Sequence, residues 1–269
     1  MVKIKGMKHE EIVQNLCDIY GKLKFDTEND QLKSDFKTLK ETILERMSSY
    51  SIIEKMELSE VLTLEDVVVN KYQINEVFNK LNGYIKPHLI NRMYENSEAI
   101  FIVMMDNSGS MGTFEKHIGR SVITWNKLFL EDKYVNVETE YIVHSTDAKS
   151  VGENQFFNES ESGGTIASSA YVKCLEIINS KDYKNKDIYV MHVSDGDNLT
   201  SDNRRVENYL YDILHKVVQF QYIEPNQYNR TSTLMSCFRN IDNEKFIKTV
   251  IKDKSHVMRA IQNAFTTFE

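Results

Sequence analysis

The first 97 residues carry apolar side chains at the three-to-four-residue spacing of amphipathic helices. Two stripes are clear, and weaker helical patterns follow at residues 61–65 and 72–81. A helix is expected to stop at Gly83 and Pro87, since neither residue is favoured inside a helix. No evident chemistry accompanies the pattern, so residues 1–97 are interpreted as a helical packing or docking segment. The two stripes consist of Ile12, Leu16, Ile19, Tyr20 and Leu23, and of Leu32, Phe36, Leu39, Ile43 and Met47.

From residue 98 the pattern changes to strands that alternate with helices. Residues 99–105 are apolar at every position, which is typical of a strand buried on both faces. Residues 149–151 and 155–157 flank Gly152 and predict a short hairpin at a sheet edge. The alternation predicts an α/β domain over residues 98–269: a doubly wound, mainly parallel sheet with helices on both faces and one antiparallel edge strand. Further strands are predicted at 135–144, 187–194, 217–224 and 245–251, and helices at 114–129, 166–178, 203–215, after 231 and at 257–268.

Composition narrows the classes of function. The 269 residues carry a formal net charge of −7, which disfavours a nucleic-acid coat or a membrane-surface binder. Residues 99–105 are the longest purely apolar run, far shorter than the about 20 residues of a membrane span. No secretory signal is evident, so a cytoplasmic protein is expected. Three distant cysteines (Cys17, Cys174 and Cys237) predict neither a disulfide framework nor a metal site.

Polar side chains follow the predicted strands where each strand ends. Asp106, Ser108 and Ser110 form a D-x-S-x-S pattern directly after the first strand, and Asp195 follows the strand at 187–194. Thr165 lies in a glycine-containing turn that opens a helix. In a doubly wound sheet, ligands bind beyond the carboxyl ends of the strands. These five residues are therefore expected to meet at one edge of the sheet.

The five candidate side chains offer only hard oxygen atoms. Such atoms suit Mg²⁺ first, and then Mn²⁺ or Ca²⁺. Two carboxylates balance the charge of a dication, so an open coordination position can still accept an anionic group from a partner. The alternative is that these residues are turn formers and helix N-caps, which are common after parallel strands.

The pattern Asp106-x-Ser108-x-Ser110, followed by Thr165 and then Asp195, resembles the metal-ion-dependent adhesion site of a von Willebrand factor A domain. The resemblance covers residues 98–269. Four longer segments resemble the bacterial YhbH/YeaH family, a sporulation- and stress-associated group of A-domain proteins. These segments are MMDNSGSMGTFEKHIGRS, FFNESESGGTIASSAY, HVSDGDNLTSDN and NQYNRTSTLM.

The resemblance implies a role for each residue. Ser108 and Ser110 would coordinate the metal directly, and Thr165 directly or through water. Asp106 and Asp195 would bind the metal directly or hold its coordinated waters. A protein partner would complete the site with an acidic residue. A serine protein kinase and a SpoVR-type protein are the candidate partners that the resemblance implies. Neither nucleic acid nor a membrane is expected as a partner.

The sequence leaves two other functions open. A metal-assisted phosphoester hydrolase would use the same oxygen cluster, with His144 or His192 as the base. Hydrogen-bonded core histidines are the commoner outcome at such positions. A scaffold would instead bind its partners through residues 1–97 and leave the metal site empty.

Three further features near the predicted edge have open interpretations. Asp202 is a predicted N-cap of the helix at 203–215, and Asp197 either contacts only water or supports the metal site. Residues 226–230 form either a recognition surface or an ordinary polar loop. Nearby acids would repel an acidic partner unless a cation or a basic patch intervenes. These acids are Asp147, Glu153, Glu159 and Glu161.

Overall fold

The computed structural model describes residues 15, 19, 29–46, 84–95, 98–158, 163–180, 183 and 186–267. The chain divides into two units, residues 1–82 and 83–269. In the first unit, helix α1 spans Asp30–Arg46 and confirms a helix over the second predicted stripe as far as Ile43, whereas Met47 lies outside the described residues. The Asn29 side chain caps this helix by accepting a hydrogen bond from the Leu32 N–H at 3.0 Å. The other predicted helical patterns before residue 83 lie outside the described residues, apart from Ile19, which is helical and buried.

The second unit is built around a six-stranded sheet in the order β3-β2-β1-β4-β5-β6. All neighbouring strands are parallel except β2 and β3, which are antiparallel. This confirms the predicted mainly parallel α/β sheet with one antiparallel edge strand. The strands are β1 Glu98–Asp106, β2 Asn136–His144, β3 Ala148–Val151, β4 Asp187–Val193, β5 Gln219–Pro225 and β6 Phe246–Ile251.

The direction of strand addition reverses beside β1. The chain leaves β1 to form β2 and β3 on one side, and then crosses to form β4, β5 and β6 on the other. A crevice forms beyond the carboxyl ends of the two strands at such a switch point. Asp106 is the last residue of β1, and residues 194 and 195 directly follow β4. The predicted site residues from these two strands therefore lie at the switch point.

Helices cover both faces of the sheet, as predicted. The helices are α2 Pro87–Glu95, α3 Thr113–Lys133, α4 Glu153–Asn158, α5 Ser168–Ile178, α6 Asn203–Leu214, α7 Thr233–Phe238 and α8 Val257–Phe265. Alternate residues of β1, Ile100, Ile102 and Met104, join a buried core with α5, α6 and α7. On the opposite face α3 packs against α8, where the rings of Phe129 and Phe265 stack with centroids 4.2 Å apart. Each fully buried large apolar side chain contributes about 1.5–3 kcal/mol. None of these described helices has the length and apolar character required to cross a membrane.

The predicted hairpin around Gly152 is wrong in its second arm. The first arm belongs to β3, which pairs with β2, whereas residues 155–157 lie in α4. The Phe156 N–H donates to the Gly152 carbonyl at 2.9 Å. Phe156 is fully buried, with its ring centroid 5.0 Å from that of Tyr141. A helical turn at this position buries Phe156 under the edge of the sheet, which explains why the segment is not a strand.

Residues 84–86 are not helical, as expected for a break near Pro87, but Pro87 itself begins α2. Proline suits the first position of a helix, where its missing N–H would have no intrahelical partner. Just before it, the Lys86 N–H donates to the Phe265 carbonyl at 3.0 Å, and the Lys86 ammonium donates to the Ala264 carbonyl at 3.0 Å. Residues 84–95 are thus bonded to α8 of the second unit. The domain boundary between residues 97 and 98 stays a prediction.

Candidate metal centre

Asp106 lies at the base of the candidate site and is completely buried. The next residue continues the sheet, since the Asn107 N–H donates to the His144 carbonyl at 2.8 Å. One carboxylate oxygen of Asp106 accepts from the Ser108 N–H at 2.9 Å, and the other accepts from the Ser194 hydroxyl at 2.8 Å. Aspartate commonly makes this contact with the backbone two residues on, and the contact turns the chain after β1. The carboxylate is therefore fixed in orientation from both sides.

The two serines of the D-x-S-x-S pattern lie together. Their hydroxyl oxygens are 3.1 Å apart. Ser108 is 3% exposed, whereas Ser110 is an exposed residue. A hydrogen bond of 3.1 Å from the Met111 N–H to the Ser108 carbonyl closes the turn that holds them. The pair of hydroxyls thus reaches from the protein interior towards solvent.

Asp195 joins this group from the neighbouring strand. Its carboxylate accepts a hydrogen bond from the Asp197 N–H at 3.1 Å. The Ser110 hydroxyl lies close enough to act as a hydrogen-bond donor that lowers the pKa of Asp195. Burial raises the pKa of Asp195, and the negative charges of Asp106 and Asp197 raise it further, whereas the two hydrogen bonds lower it. Asp106, Ser108, Ser110 and Asp195 form a continuous set of oxygen atoms across the switch point.

Thr165 lies at the same edge but is not bonded to that set. Its carbonyl accepts from the Leu199 N–H at 3.3 Å, and the next residue, Ile166, donates its N–H to the Ser145 carbonyl at 2.8 Å. The segment is therefore held between the end of β2 and the loop after β4. Among the described residues, no hydrogen bond joins the Thr165 hydroxyl to the other four side chains.

Asp202 does not cap its own helix, contrary to the prediction. It makes no side-chain capping bond at the start of α6. Its carboxylate instead accepts from the N–H of Ser168, the first residue of α5, at 2.9 Å. Asn198 gives parallel support by accepting from the Ala167 N–H at 2.9 Å. Both contacts fix the segment that carries Thr165 to the loop that carries Asp195.

The donor set is compatible with a hard divalent cation. It combines two carboxylates with neutral hydroxyls, all of them oxygen ligands of the kind that Mg²⁺ and Ca²⁺ prefer. Within the described part of the chain, no group of three or more His, Cys, Asp or Glu side chains is placed to hold a metal. A cation here would depend on hydroxyls and water for the rest of its coordination. Asn107 is completely buried, and neither polar atom of its amide has a hydrogen-bond partner among the residues that the structure describes, which is uncommon for buried polar groups.

His144 and His192 are core histidines. The two Nε2 atoms are 2.9 Å apart, and the Tyr171 hydroxyl lies 3.1 Å from Nδ1 of His192. Neither histidine is more than 1% exposed. Burial lowers the pKa of both, so both rings are neutral near pH 7. This confirms the hydrogen-bonded core interpretation, and it places both rings out of reach of a substrate in solution.

Residues 84–267 match the protein family described as "Protein of unknown function (DUF444)". The chain belongs to the DUF444 family. This DUF444 chain is 49% identical over 174 residues to a UPF0229 protein of Bacillus velezensis, and 45% identical over 189 residues to UPF0229 proteins of Bacillus thuringiensis and Bacillus anthracis. The matches cover 64% and 70% of this chain, but only 44% and 46% of those relatives. The chain thus spans less than half the length of the relatives it matches.

One solved structure is similar to this DUF444 chain at a greater distance. It is the crystal structure of manganese-loaded TRAP protein from Plasmodium vivax, which matches 64% of this chain and 75% of that one. The sequence identity is 13% and the TM-score is 0.43. A likeness of this degree supports no statement about ligands.

Sequence reasoning assigned no role to Ser194, Glu224 and Ser232 of the DUF444 chain. Ser194 is fully buried, donates to Asp106 and accepts from the Gly196 N–H at 3.1 Å. Glu224 is 1% exposed and accepts from the Ser232 hydroxyl at 2.6 Å and the Tyr222 hydroxyl at 2.9 Å. Burial raises the pKa of Glu224, while its hydrogen bonds lower it. The position of Ser194, directly before Asp195 at a strand end, is the feature of the sequence that points to its role. No sequence pattern points to a role for Glu224.

At Gly196 the loop after β4 touches the loop after β5. Its φ of +87° lies in the region that favours glycine. A Cβ atom there would lie 2.4 Å from Cβ of Ser232 and 2.5 Å from Oε2 of Glu224. The missing side chain lets the loop of Asp195 lie directly on the buried carboxylate of Glu224. Gly196 therefore sets the position of Asp195.

We expect Gly196→Ala to lower the free energy of unfolding by about 2–4 kcal/mol, since strain at positive φ adds to overpacking. Urea denaturation measures this change. Gly109→Ala is the matched control, because Gly109 lies in the other loop of the site and its added Cβ would meet nothing within 4 Å. Equal stabilities of the two variants would show that Gly196 does not hold the loop.

Proposed function

We propose that this chain is a divalent-metal-dependent protein-binding module that serves as an adaptor or assembly factor. Asp106, Ser108, Ser110, Thr165 and Asp195 would hold Mg²⁺, or Mn²⁺ or Ca²⁺. The observation that carries the proposal is the group of oxygen donors at the switch point: Asp106 oriented from both sides, two hydroxyls 3.1 Å apart, and Asp195, whose pKa the nearby Ser110 hydroxyl lowers.

Electrostatics favours a cation between the two carboxylates. The charge of Asp106 raises the pKa of Asp195, so the two groups repel each other when both are ionised. A dication removes that repulsion and balances both charges. Each carboxylate oxygen of Asp106 already accepts one hydrogen bond but has a second lone pair for a water held by the metal.

The proposed centre is open on its outer side. Ser110 is exposed and Asp195 is half-buried, so a cation bound to them would face solvent on that side. An acidic residue of a protein partner is the group that would complete the coordination. This is the arrangement that the resemblance to A-domains implies. The same resemblance suggests a sporulation- or stress-associated role, with a serine protein kinase or a SpoVR-type protein as candidate partners.

The burial of His144 and His192 favours binding over phosphoester hydrolysis. A general base must lie within hydrogen-bond reach of the proton that it removes. Both histidines are at most 1% exposed, and each is occupied by a hydrogen bond to the other. Turnover that used either ring as the base would require the core of the second unit to open.

A pull-down from a native lysate of the source organism tests the proposal. The full chain is immobilised in Mg²⁺ and, in parallel, in EDTA, with Asp106→Asn as the matched variant. We expect a partner that the wild type retains in Mg²⁺ and that is lost both in EDTA and with the variant. Identical protein sets under all three conditions would contradict metal-dependent binding and favour the scaffold hypothesis.

A further inference from the structure

We propose that the β4–β5 half of the carboxyl edge is a docking surface for an acidic, partly apolar protein segment. This inference rests on the proposed function, since the surface would select the partner that reaches the metal centre. We call the surface the arginine rim. It consists of Leu199, Arg204, Arg205, Tyr228 and Arg230.

The arginines of the rim are available to a partner. All three are exposed, and none forms an ion pair with any described residue. Arg204 and Arg205 lie in the first turn of α6, which contains no acidic residue. Cations are unfavourable at a helix N-terminus, where the helix dipole is positive. An anionic partner at this turn would offset that unfavourable interaction.

The loop after β5 presents Tyr228 and Arg230 in a fixed arrangement. The Asn226 side chain accepts from the Arg230 N–H at 2.8 Å and donates to the Arg230 carbonyl at 2.7 Å. The Arg230 guanidinium lies 5.2 Å from the centroid of the Tyr228 ring, which is 71% exposed. Exposed tyrosine and arginine held in place are the residue types that dominate binding energy at protein interfaces. These contacts favour a recognition surface over an ordinary polar loop.

The rim adjoins the candidate metal centre through hydrogen bonds. Leu199, which is 57% exposed, donates its N–H to the carbonyl of Thr165 at 3.3 Å. Thr233 follows the loop of Tyr228 and accepts from the Asn198 N–H at 2.8 Å. The Asn203 amide, next to Arg204, donates to the Thr233 carbonyl at 3.2 Å. A segment that covers the rim can therefore extend to the metal centre.

The exposed charge on the rim side is mainly positive. Asp197 is exposed in the loop after β4, and the rim carries the three exposed guanidiniums of Arg204, Arg205 and Arg230. On the other side of β1, Asp147 and Lys149 are both exposed and are opposite in charge. An acidic segment would therefore be attracted to the β4–β5 half. Leu199 and Tyr228 add apolar surface, which is why the partner segment should alternate acidic and apolar residues.

Fluorescence anisotropy with a labelled peptide of alternating glutamate and leucine tests this inference on the full chain in Mg²⁺. We expect saturable binding that Arg230→Glu weakens about tenfold or more. Arg259→Glu is the matched control, since Arg259 is an exposed arginine of α8 outside the rim, and we expect a change below about twofold. A peptide with glutamine in place of glutamate should bind at least about tenfold more weakly.

The outcomes separate this inference from the proposed function. Equal affinities of the Arg230→Glu and Arg259→Glu variants, or of the two peptides, would overturn the docking surface. Tighter binding of a labelled single-stranded oligonucleotide through Arg230 would overturn it in favour of nucleic acid. Loss of affinity in Arg230→Glu with the same affinity in Mg²⁺ and EDTA would support the docking surface while contradicting the metal-dependent function.

Discussion

Asp106→Asn is expected to abolish binding of Mg²⁺ and Mn²⁺ with little net change in the stability of the metal-free protein. Asparagine keeps an oxygen that accepts from the Ser108 N–H, so the turn after β1 is retained. It removes the negative charge that raises the pKa of Asp195, and so it removes repulsion between the two carboxylates. It also loses the hydrogen bond from the buried Ser194 hydroxyl, which opposes that gain. The variant should therefore lie within about 1 kcal/mol of the wild type when EDTA is present.

Isothermal titration calorimetry with Mn²⁺ measures the loss of binding, and thermal denaturation measures the stability. At a Mn²⁺ concentration about 100 times Kd, the wild type should gain about 2.7 kcal/mol and the variant nothing. Asp147→Asn is the matched control, because Asp147 is an exposed acid at the same edge of the sheet. Equal heats for Asp106→Asn and the wild type would refute the metal site.

Acid is expected to destabilise the second unit through the buried histidine pair. Burial lowers the pKa of His144 and His192 in the folded chain, and the charge of His144 would lower that of His192 further. In the unfolded chain both titrate near the ordinary pKa of about 6.5. Below that pH the unfolded state binds more protons than the folded state, so stability falls as the pH falls. The expected slope is up to about 1.4 kcal/mol per pH unit for each histidine.

Urea denaturation in EDTA between about pH 7 and about pH 5 measures this slope. We expect His144→Gln to flatten it, whereas His215→Gln, which replaces an exposed histidine of the same unit, should leave it unchanged. Burial raises the pKa of Asp195 and Glu224, so these acids act in the opposite sense, and they contribute equally to the wild type and to both variants. Equal slopes for the wild type and His144→Gln would contradict the assignment.

The sequence was sufficient to predict the sheet because its central strands are buried on both faces. In β1, every residue except Glu98 is buried, and the apolar run shows this directly. The single antiparallel edge strand was also predicted. The error at residues 155–157 arose because a buried Phe156 beside an edge strand looks the same in sequence whether it lies in a strand or in one helical turn. Tertiary packing on Tyr141 decides between them.

The sequence predicts the part of the candidate site that is formed by residues at strand ends. It does not predict the part that depends on contacts between loops. Parallel strands deliver their carboxyl ends to one edge, so Asp106 and Asp195 could be placed together from their position alone. The contact of Gly196 with Ser232 joins loops after two different strands, and no local pattern encodes it. Asp202 shows the same limit, since its carboxylate bonds to Ser168 of a helix 34 residues earlier.

A crystal of the full chain soaked in Mn²⁺ and measured at the manganese absorption edge tests the metal centre most directly. We expect one anomalous peak at the end of β1, within coordination distance of the Ser108 and Ser110 hydroxyls, with an outer position filled by water. Mg²⁺ in the same place should show ligand distances of about 2.0–2.1 Å. This expectation would be contradicted by a crystal in which the loops at the carboxyl edge of the sheet are well ordered but no peak is present. It would also be contradicted by a peak whose outer coordination position is filled by a carboxylate of the chain itself.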